Sequence, residues 1–171
     1  MKKVLLSLAI VTIVSLSAKA QSSDSKSSDS QIKLDIGATG AIPLGNFGDD
    51  YSFGIGGFLK GAYNVSPNVD VTLTAGYKNF SGKTISGITI PSEGIIDFIA
   101  GASYLMDGGF HIDGGIGYGL FTPGSSGGFA YRVGAGYKFA SVWDVTANYN
   151  GVSDVVTTSY IGIGISYALI K

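Results

Sequence analysis

FGIGGFLKGAYNVSPNVDVTLTAGYK, residues Phe53 to Lys78, decides the fold. With a step of two, one set of side chains is Phe53, Ile55, Gly57, Leu59, Gly61, Tyr63 and Val65, and the other is Gly54, Gly56, Phe58, Lys60, Ala62 and Asn64. Beyond Ser66-Pro67-Asn68 the alternation resumes, with Val69, Val71, Leu73, Ala75 and Tyr77 against Asp70, Thr72, Thr74, Gly76 and Lys78. A period of two places successive side chains on opposite faces of a β-strand. The Ser-Pro-Asn stretch is a turn by composition. The segment is a β-hairpin.

Its two faces are inverted relative to a soluble sheet. A water-soluble barrel keeps bulky apolar groups inside and charge outside. Here the apolar face carries the tyrosines, near the strand ends, and the polar face carries Lys, Asp, Thr, Asn and much Gly. Strands that stand in lipid around a polar lumen have this arrangement. A soluble secreted β-barrel is the reading it opposes.

The totals agree. The chain has 171 residues, enough for one domain, and no Cys, so it holds no disulfide framework or thiolate site. A single His, His111, speaks against zinc chemistry that needs two or three imidazoles. Residues 1–20 read as a secretory signal peptide: basic Lys2 and Lys3, a short apolar run from Val4 to Leu16, and an Ala18-Lys19-Ala20 cleavage site. Cleavage takes the basic count from 11 to 8 against 12 acidic residues, a net charge of −4, with no basic footprint for nucleic acid. Gln21 to Ser30, QSSDSKSSDS, is a Ser/Asp-rich tail that is expected to be disordered. No apolar run is long enough for a helical span, so a membrane role requires strands.

Residues 31–171 read as eight such strands. The first, Gln31 to Ile42, points Ile32, Leu34, Ile36 and Ala38 outward, with Lys33, Asp35, Gly37 and Thr39 inward. The fourth, Ile95 to Met106, points Phe98 and Tyr104 out and Asp97 in, with Ile99 an exception to the polar lumen. The fifth has His111 and Asp113 inward, the sixth Arg132 and Lys138, and the seventh Asp144. The eighth runs through Ile161, Ile163 and Ile165 to Leu169. Short turns follow Val65, Met106 and Phe139, where the outward residues on either side (65/69, 106/110, 139/143) share parity and keep the apolar face continuous. Long connections are expected over Pro43–Ser52, Phe80–Gly94, Thr122–Gly128 and Gly151–Thr158, and the Ile88-Thr89-Ile90 run in the second is expected to extend the strands. All four prolines fall in predicted connections. Outward aromatics Phe53, Tyr63, Tyr77, Tyr104, Tyr118, Phe129, Tyr137, Trp143, Tyr149 and Tyr167 lie where an outer-membrane barrel has its interfacial girdles. Backbone groups cannot stay unpaired in lipid, so the sheet must close, eighth strand on first. The expected fold is an all-β, closed, eight-stranded, antiparallel up-and-down transmembrane β-barrel.

Eight strands leave an interior just wide enough for side chains. The inward charges are Lys33, Lys60, Lys78, Arg132 and Lys138 against Asp35, Asp70, Asp97, Asp113 and Asp144. Five against five implies a lumen plugged by ion pairs, with inward glycines making room for the long side chains.

The signal peptide, the eight alternating strands and the alternation of short turns with long loops resemble the small outer-membrane β-barrels of the OmpX/OmpA-like superfamily, in particular its barrel-only members. The end of the chain, Gly164-Ile165-Ser166-Tyr167-Ala168-Leu169, is similar to that family's C-terminal assembly signal, with Leu169 in place of the usual aromatic. The resemblance implies a bacterial outer membrane and contact with its lipid and lipopolysaccharide. It further implies insertion by the barrel-assembly machinery, termini in the periplasm, four loops outside and a monomer. Known roles of such barrels range from envelope integrity to adhesion, defence and lipid A modification, so the fold does not fix the function.

Three sharper motifs reduce to blander ones. Gly76 to Thr84, GYKNFSGKT, has one residue too many for a phosphate-binding loop and no helix after it. Ser103, His111 and Asp113 could form a Ser-His-Asp set, but a lumenal hydrogen-bond network accounts for them. Asp49, Asp50 and Asp154 are loop carboxylates, read as solvated charges rather than Ca²⁺ ligands. The sequence therefore points to a barrel with no catalytic, cofactor-binding or metal site, acting in envelope structure or through contacts of its loops with an external partner. A narrow porin-like channel for small solutes is the alternative, and an outer-membrane lipid-modifying enzyme a weaker one.

Overall fold

The computed structural model describes residues 32–124, 126–154 and 157–170. The expected signal peptide and Ser/Asp tail lie outside them. The elements are β1 (Ile32–Leu44), α1 (Gly45–Asp50), β2 (Tyr51–Ser66), β3 (Val69–Gly82), β4 (Thr84–Ile85), β5 (Ile88–Thr89), β6 (Glu93–Leu105), a 3-10 turn (Asp107–Gly109), β7 (Phe110–Thr122), β8 (Gly127–Phe139), β9 (Trp143–Ser153) and β10 (Thr157–Ile170).

Eight of these strands form a closed barrel in the order β1-β10-β9-β8-β7-β6-β3-β2, and β4 and β5 make a separate two-stranded sheet. Every barrel pairing is antiparallel. Closure runs from Leu34 opposite Ile170 to Leu44 opposite Ser159, with one register shift at Leu34/Asp35. No strand edge of the barrel is left open, which is what lipid requires of a sheet. The period-two pattern is realised as a burial pattern: in β3, Val71, Leu73 and Tyr77 are exposed, while Asp70, Thr72, Thr74, Gly76, Lys78 and Phe80 are buried.

All ten predicted interface aromatics point outward, with exposures from 39% for Trp143 and Tyr149 to 52% for Phe129. Two bands result. Near the short turns, Phe110 lies against Tyr137 (4.8 Å between ring centroids) and Trp143 against Tyr167 (5.1 Å). Near the long loops, Tyr131 lies between Phe129 (6.4 Å) and Tyr149 (6.2 Å). Amphipathic rings in two belts suit the two water–lipid boundaries.

The strands reach further than the composition suggested, so the long connections shrink. β3 continues through Phe80 to Gly82, β9 to Ser153, and β10 begins at Thr157. The first long connection is mostly α1, and Tyr51 and Ser52 already belong to β2. Ile88 and Thr89 do not extend the barrel: they fold back on Thr84 and Ile85 about Ser86 and Gly87, both at positive φ. Pro43 is inside β1, opposite Tyr160, rather than in a connection. It is tolerated because the pairing of β1 with β2 has already ended at Ala41–Gly54, so one side of the strand needs no ladder bond there. The turn after β8 holds Ala140 and Ser141 at φ 49° and 59° without a glycine.

Candidate functional site

The interior has two zones, and the strand register places each side chain. In the zone toward the short turns, Lys33 lies 3.0 Å from Asp70, which also accepts a hydrogen bond from Asn64 (3.0 Å). Lys60 reaches two carboxylates, Asp35 at 3.7 Å and Asp144 at 3.5 Å. The His111 ring lies beside Asp144, with Nε2 2.9 Å from its Oδ1. Gly136 lies between them, and a Cβ there would meet the His111 ring. Further up, Asp97 is held by Lys78 and by Arg132 (3.5 Å), and Arg132 Nε donates to Asn150 (3.1 Å). Gly76 leaves the space these groups occupy, since a Cβ on it would be 3.1 Å from Asp97 and 3.3 Å from the Lys78 ammonium.

Of the ten charges expected in the lumen, all point inward, and eight enter ion pairs of 4.0 Å or less with one another. Two do not. Lys138 faces Asp144 across the β8–β9 ladder but joins no ion pair among the described residues. Asp113 pairs with no lysine or arginine among the described residues, and His111 Nδ1 lies 4.0 Å from it. His111 is paired with Asp144 rather than set between Ser103 and Asp113. Asp49, Asp50 and Asp154 are exposed, and no group of three or more metal-ligating side chains occurs among the described residues. Most of the Gly76–Thr84 motif lies within β3.

The zone toward the long loops is apolar, which the reading of a polar lumen missed. Ala41, Phe80, Ile95, Ile99, Ala130, Val152 and Tyr160 form a buried cluster, with Phe47, Tyr51 and Phe121 packed against it. Tyr160 and Phe80 are 1% and 0% exposed, and their rings meet edge-on at 5.2 Å. Phe47, on α1, covers Phe80 at 4.9 Å. Lys78 joins the zones, its ammonium 5.7 Å from the Tyr160 ring centroid. The signal was present in the alternation: Phe80 shares the parity of Lys78, Ile95 that of Asp97, and Val152 that of Asn148 and Asn150. For Phe80 and Val152, placing them in the long connections hid it.

Two cavities among the lumenal charges are small. One of about 30 Å³ borders Lys60, Lys78, Asp113, Arg132 and Asn148, and one of about 10 Å³ borders Lys33, Asp35, Lys60 and His111. Each has room for a water or so.

Residues 6–168 match the family described as outer membrane protein beta-barrel domain. The chain belongs to this family. It is therefore a bacterial outer-membrane β-barrel protein, built as one closed eight-stranded barrel. No curated protein matches the chain in sequence. Solved structures share the outer-membrane barrel's fold. The Yersinia pestis outer membrane protein Ail, in a phospholipid bilayer nanodisc, is 16% identical with a TM-score of 0.60, over 80% of this chain and 99% of that one. The N-terminal β-barrel domain of Pseudomonas aeruginosa OprF is 16% identical with a TM-score of 0.52, over 80% and 97%. A de novo designed transmembrane β-barrel is 15% identical with a TM-score of 0.53, over 80% and 95%. That a designed barrel matches about as well as natural ones shows that the likeness concerns the fold and not the role.

Proposed function

We propose that this outer-membrane barrel is a closed, non-conducting, non-enzymatic envelope protein whose lumen is plugged twice, by its ion-pair lattice and by the apolar cluster beneath α1. One observation carries the reading: the interior is occupied from the Lys33–Asp70 pair at one end to the Phe47–Phe80–Tyr160 stack at the other. An ion entering from the short turns would have to break buried pairs and then cross a zone packed with apolar and aromatic side chains. Purified protein in planar bilayers is expected to give no steady current. Reproducible ohmic steps at moderate voltage would overturn the plug and favour the narrow channel.

Function then falls to the surfaces. The aromatic belts seat the barrel, as a monomer, in lipid and lipopolysaccharide. The Gly164–Leu169 segment presents the assembly machinery with its signal after export by the residue 1–20 leader. The loop end faces outward and meets whatever partner the protein has. Ail has been solved with the heparin analogue sucrose octasulfate. That ligand class does not carry over, because the described loop end here has Asp49, Asp50, Glu93 and Asp154 against Lys83, which repels a polyanion. A partner that is neutral or basic fits this end.

A further inference from the structure

The outer wall of the barrel is not evenly clad. On β6 and β7 it carries a hollow of about 490 Å³, bordered by Val69, Ala102, Tyr104, Ile112, Gly114 and Val133. The register sets its shape. Ala102 faces Gly114 across the β6–β7 ladder, and Val133 follows on β8. One step nearer the short turns, Val69, Tyr104 and Ile112 form the next row. Tyr104, Ile112 and Val133 are 50%, 52% and 58% exposed. Large side chains therefore stand around a floor made of one methyl group and bare backbone.

Nothing among the described residues requires a glycine at 114. The inward glycines beside it are different. A Cβ on Gly115 would lie 2.7 Å from the Ala100 carbonyl oxygen, and one on Gly101 or Gly117 would collide with the backbone of Gly114 or of Phe98. A Cβ on Gly114 would meet nothing nearer than the Arg132 carbonyl oxygen, at 3.7 Å, and Gly114 is not at positive φ. Glycine inside a strand costs stability, and it marks places where a ligand or another backbone comes close. What comes close to Gly114 comes from outside the chain.

The hollow opens on the apolar wall between the two aromatic bands, which the membrane covers in an outer-membrane barrel. An apolar hollow takes up no water. A second barrel would offer it a convex wall. A hydrocarbon chain lying in it gains dispersion contacts from the floor and from the side chains on either side. We propose that the Ala102–Gly114 hollow seats one acyl chain of a phospholipid from the inner leaflet of the outer membrane, entering beside Tyr104. The choice of leaflet rests on the reading that the loop end faces outward; the seat itself does not.

The test is photolabelling of the barrel in phospholipid nanodiscs that contain a phosphatidylcholine with a diazirine in mid-chain, the labelled residues being located by mass spectrometry. Label is expected to concentrate on the Ala102–Gly114 wall, above the level at Ile161, Ile163 and Ile165 of β10, which are similarly exposed. Gly114→Leu and Ala102→Leu each fill the floor and are expected to remove that excess. Gly61→Leu is expected to leave it: Gly61 lies on the outward face of β2, and its Cβ would have only the Leu73 carbonyl oxygen nearby, at 3.9 Å. The heat-dependent shift in SDS shows that each variant has folded, and one folded filling variant is enough. Labelling of the parent that merely follows exposure, an excess that survives filling, or cross-linking of this wall to a second barrel in place of lipid overturns the proposal. Both leaflets of the disc are phospholipid, so the result holds whichever way the barrel points and whether or not its lumen conducts.

Discussion

Asp97 answers two cations at once, Lys78 and Arg132, in a region where each is largely shielded from water. Removing one partner of a buried ion pair costs about 3–5 kcal/mol, because the other charge stays buried and unpaired. The two sides of this cluster should therefore respond differently. Asp97→Asn strands two cations and is expected to lower the unfolding free energy by at least about 3–5 kcal/mol. Arg132→Ala leaves Asp97 with Lys78 and is expected to cost less. Urea titration of the folded barrel in lipid vesicles, monitored by the Trp143 emission, measures both, and equal losses would mean that the pairs do not share Asp97. Above them, Phe80→Ala removes a ring that touches Phe47 and Tyr160, with an expected loss of about 3–5 kcal/mol for a large-to-small core change. That variant should still carry no current, since the ionic zone below it remains. The polar zone was legible in the sequence because Lys and Asp on one parity have no other reason to alternate with Ile and Tyr. The apolar zone was not, because Phe80, Val152 and Tyr160 follow the same parity into stretches whose Ser, Gly and Thr content imitates a loop.

Turns and strand ends show the same competition between local composition and tertiary pairing. The β2–β3 turn has Pro67 and Asn68, and the β6–β7 turn has Gly108 and Gly109 at positive φ, so composition alone located both. The β8–β9 turn has neither device, yet Phe139 and Trp143 pair and force Ala140 and Ser141 into the left-handed region. An L-residue with a Cβ loses roughly 1–2 kcal/mol there. Ala140→Gly should therefore stabilise the barrel by about 0.5–1 kcal/mol after the entropy of the freer chain is subtracted. Ala140→Val should destabilise it, since a branched side chain at positive φ is more strained still. The temperature at which the SDS-resistant form is lost reads the order directly: Gly above the parent, Val below. Proline followed a similar logic. Composition puts Pro43 in a connection because strands exclude proline, and the structure admits it where β1 has only one neighbour. Sequence pattern locates a strand by its alternation, but where it stops depends on whether a neighbour remains to pair with, and that is a property of the whole sheet.

Closure of that sheet is what makes the molecule a membrane protein rather than an apolar-surfaced aggregate. Its outer face is lined with residues such as Ile36, Leu59, Leu73, Ile116 and Ile163, each largely exposed, and no water-soluble fold tolerates such a belt. The antiparallel β1–β10 seam joins the two ends of the described chain, so no strand of the barrel can fray without opening a ladder on both sides. Backbone pairs of this kind, shielded from water, yield to detergent slowly and to heat cooperatively. Protein extracted from outer membranes is therefore expected to migrate as a compact species in SDS when unboiled and to shift on boiling. Deleting residues 84–89 should leave the shift intact, because β4 and β5 pair only with each other and contribute no strand to the barrel. A proline at Ile163 should abolish it. Ile163 is a central residue of β10, paired with Gly40 on one side and Ala147 on the other, and proline removes a ladder donor that lipid cannot replace. If the Ile163→Pro chain kept its heat-dependent shift, resistance to SDS would come from the plugged interior rather than from the seam. The ion pairs around Asp97 and the cluster around Phe80 would then be what holds the cylinder shut.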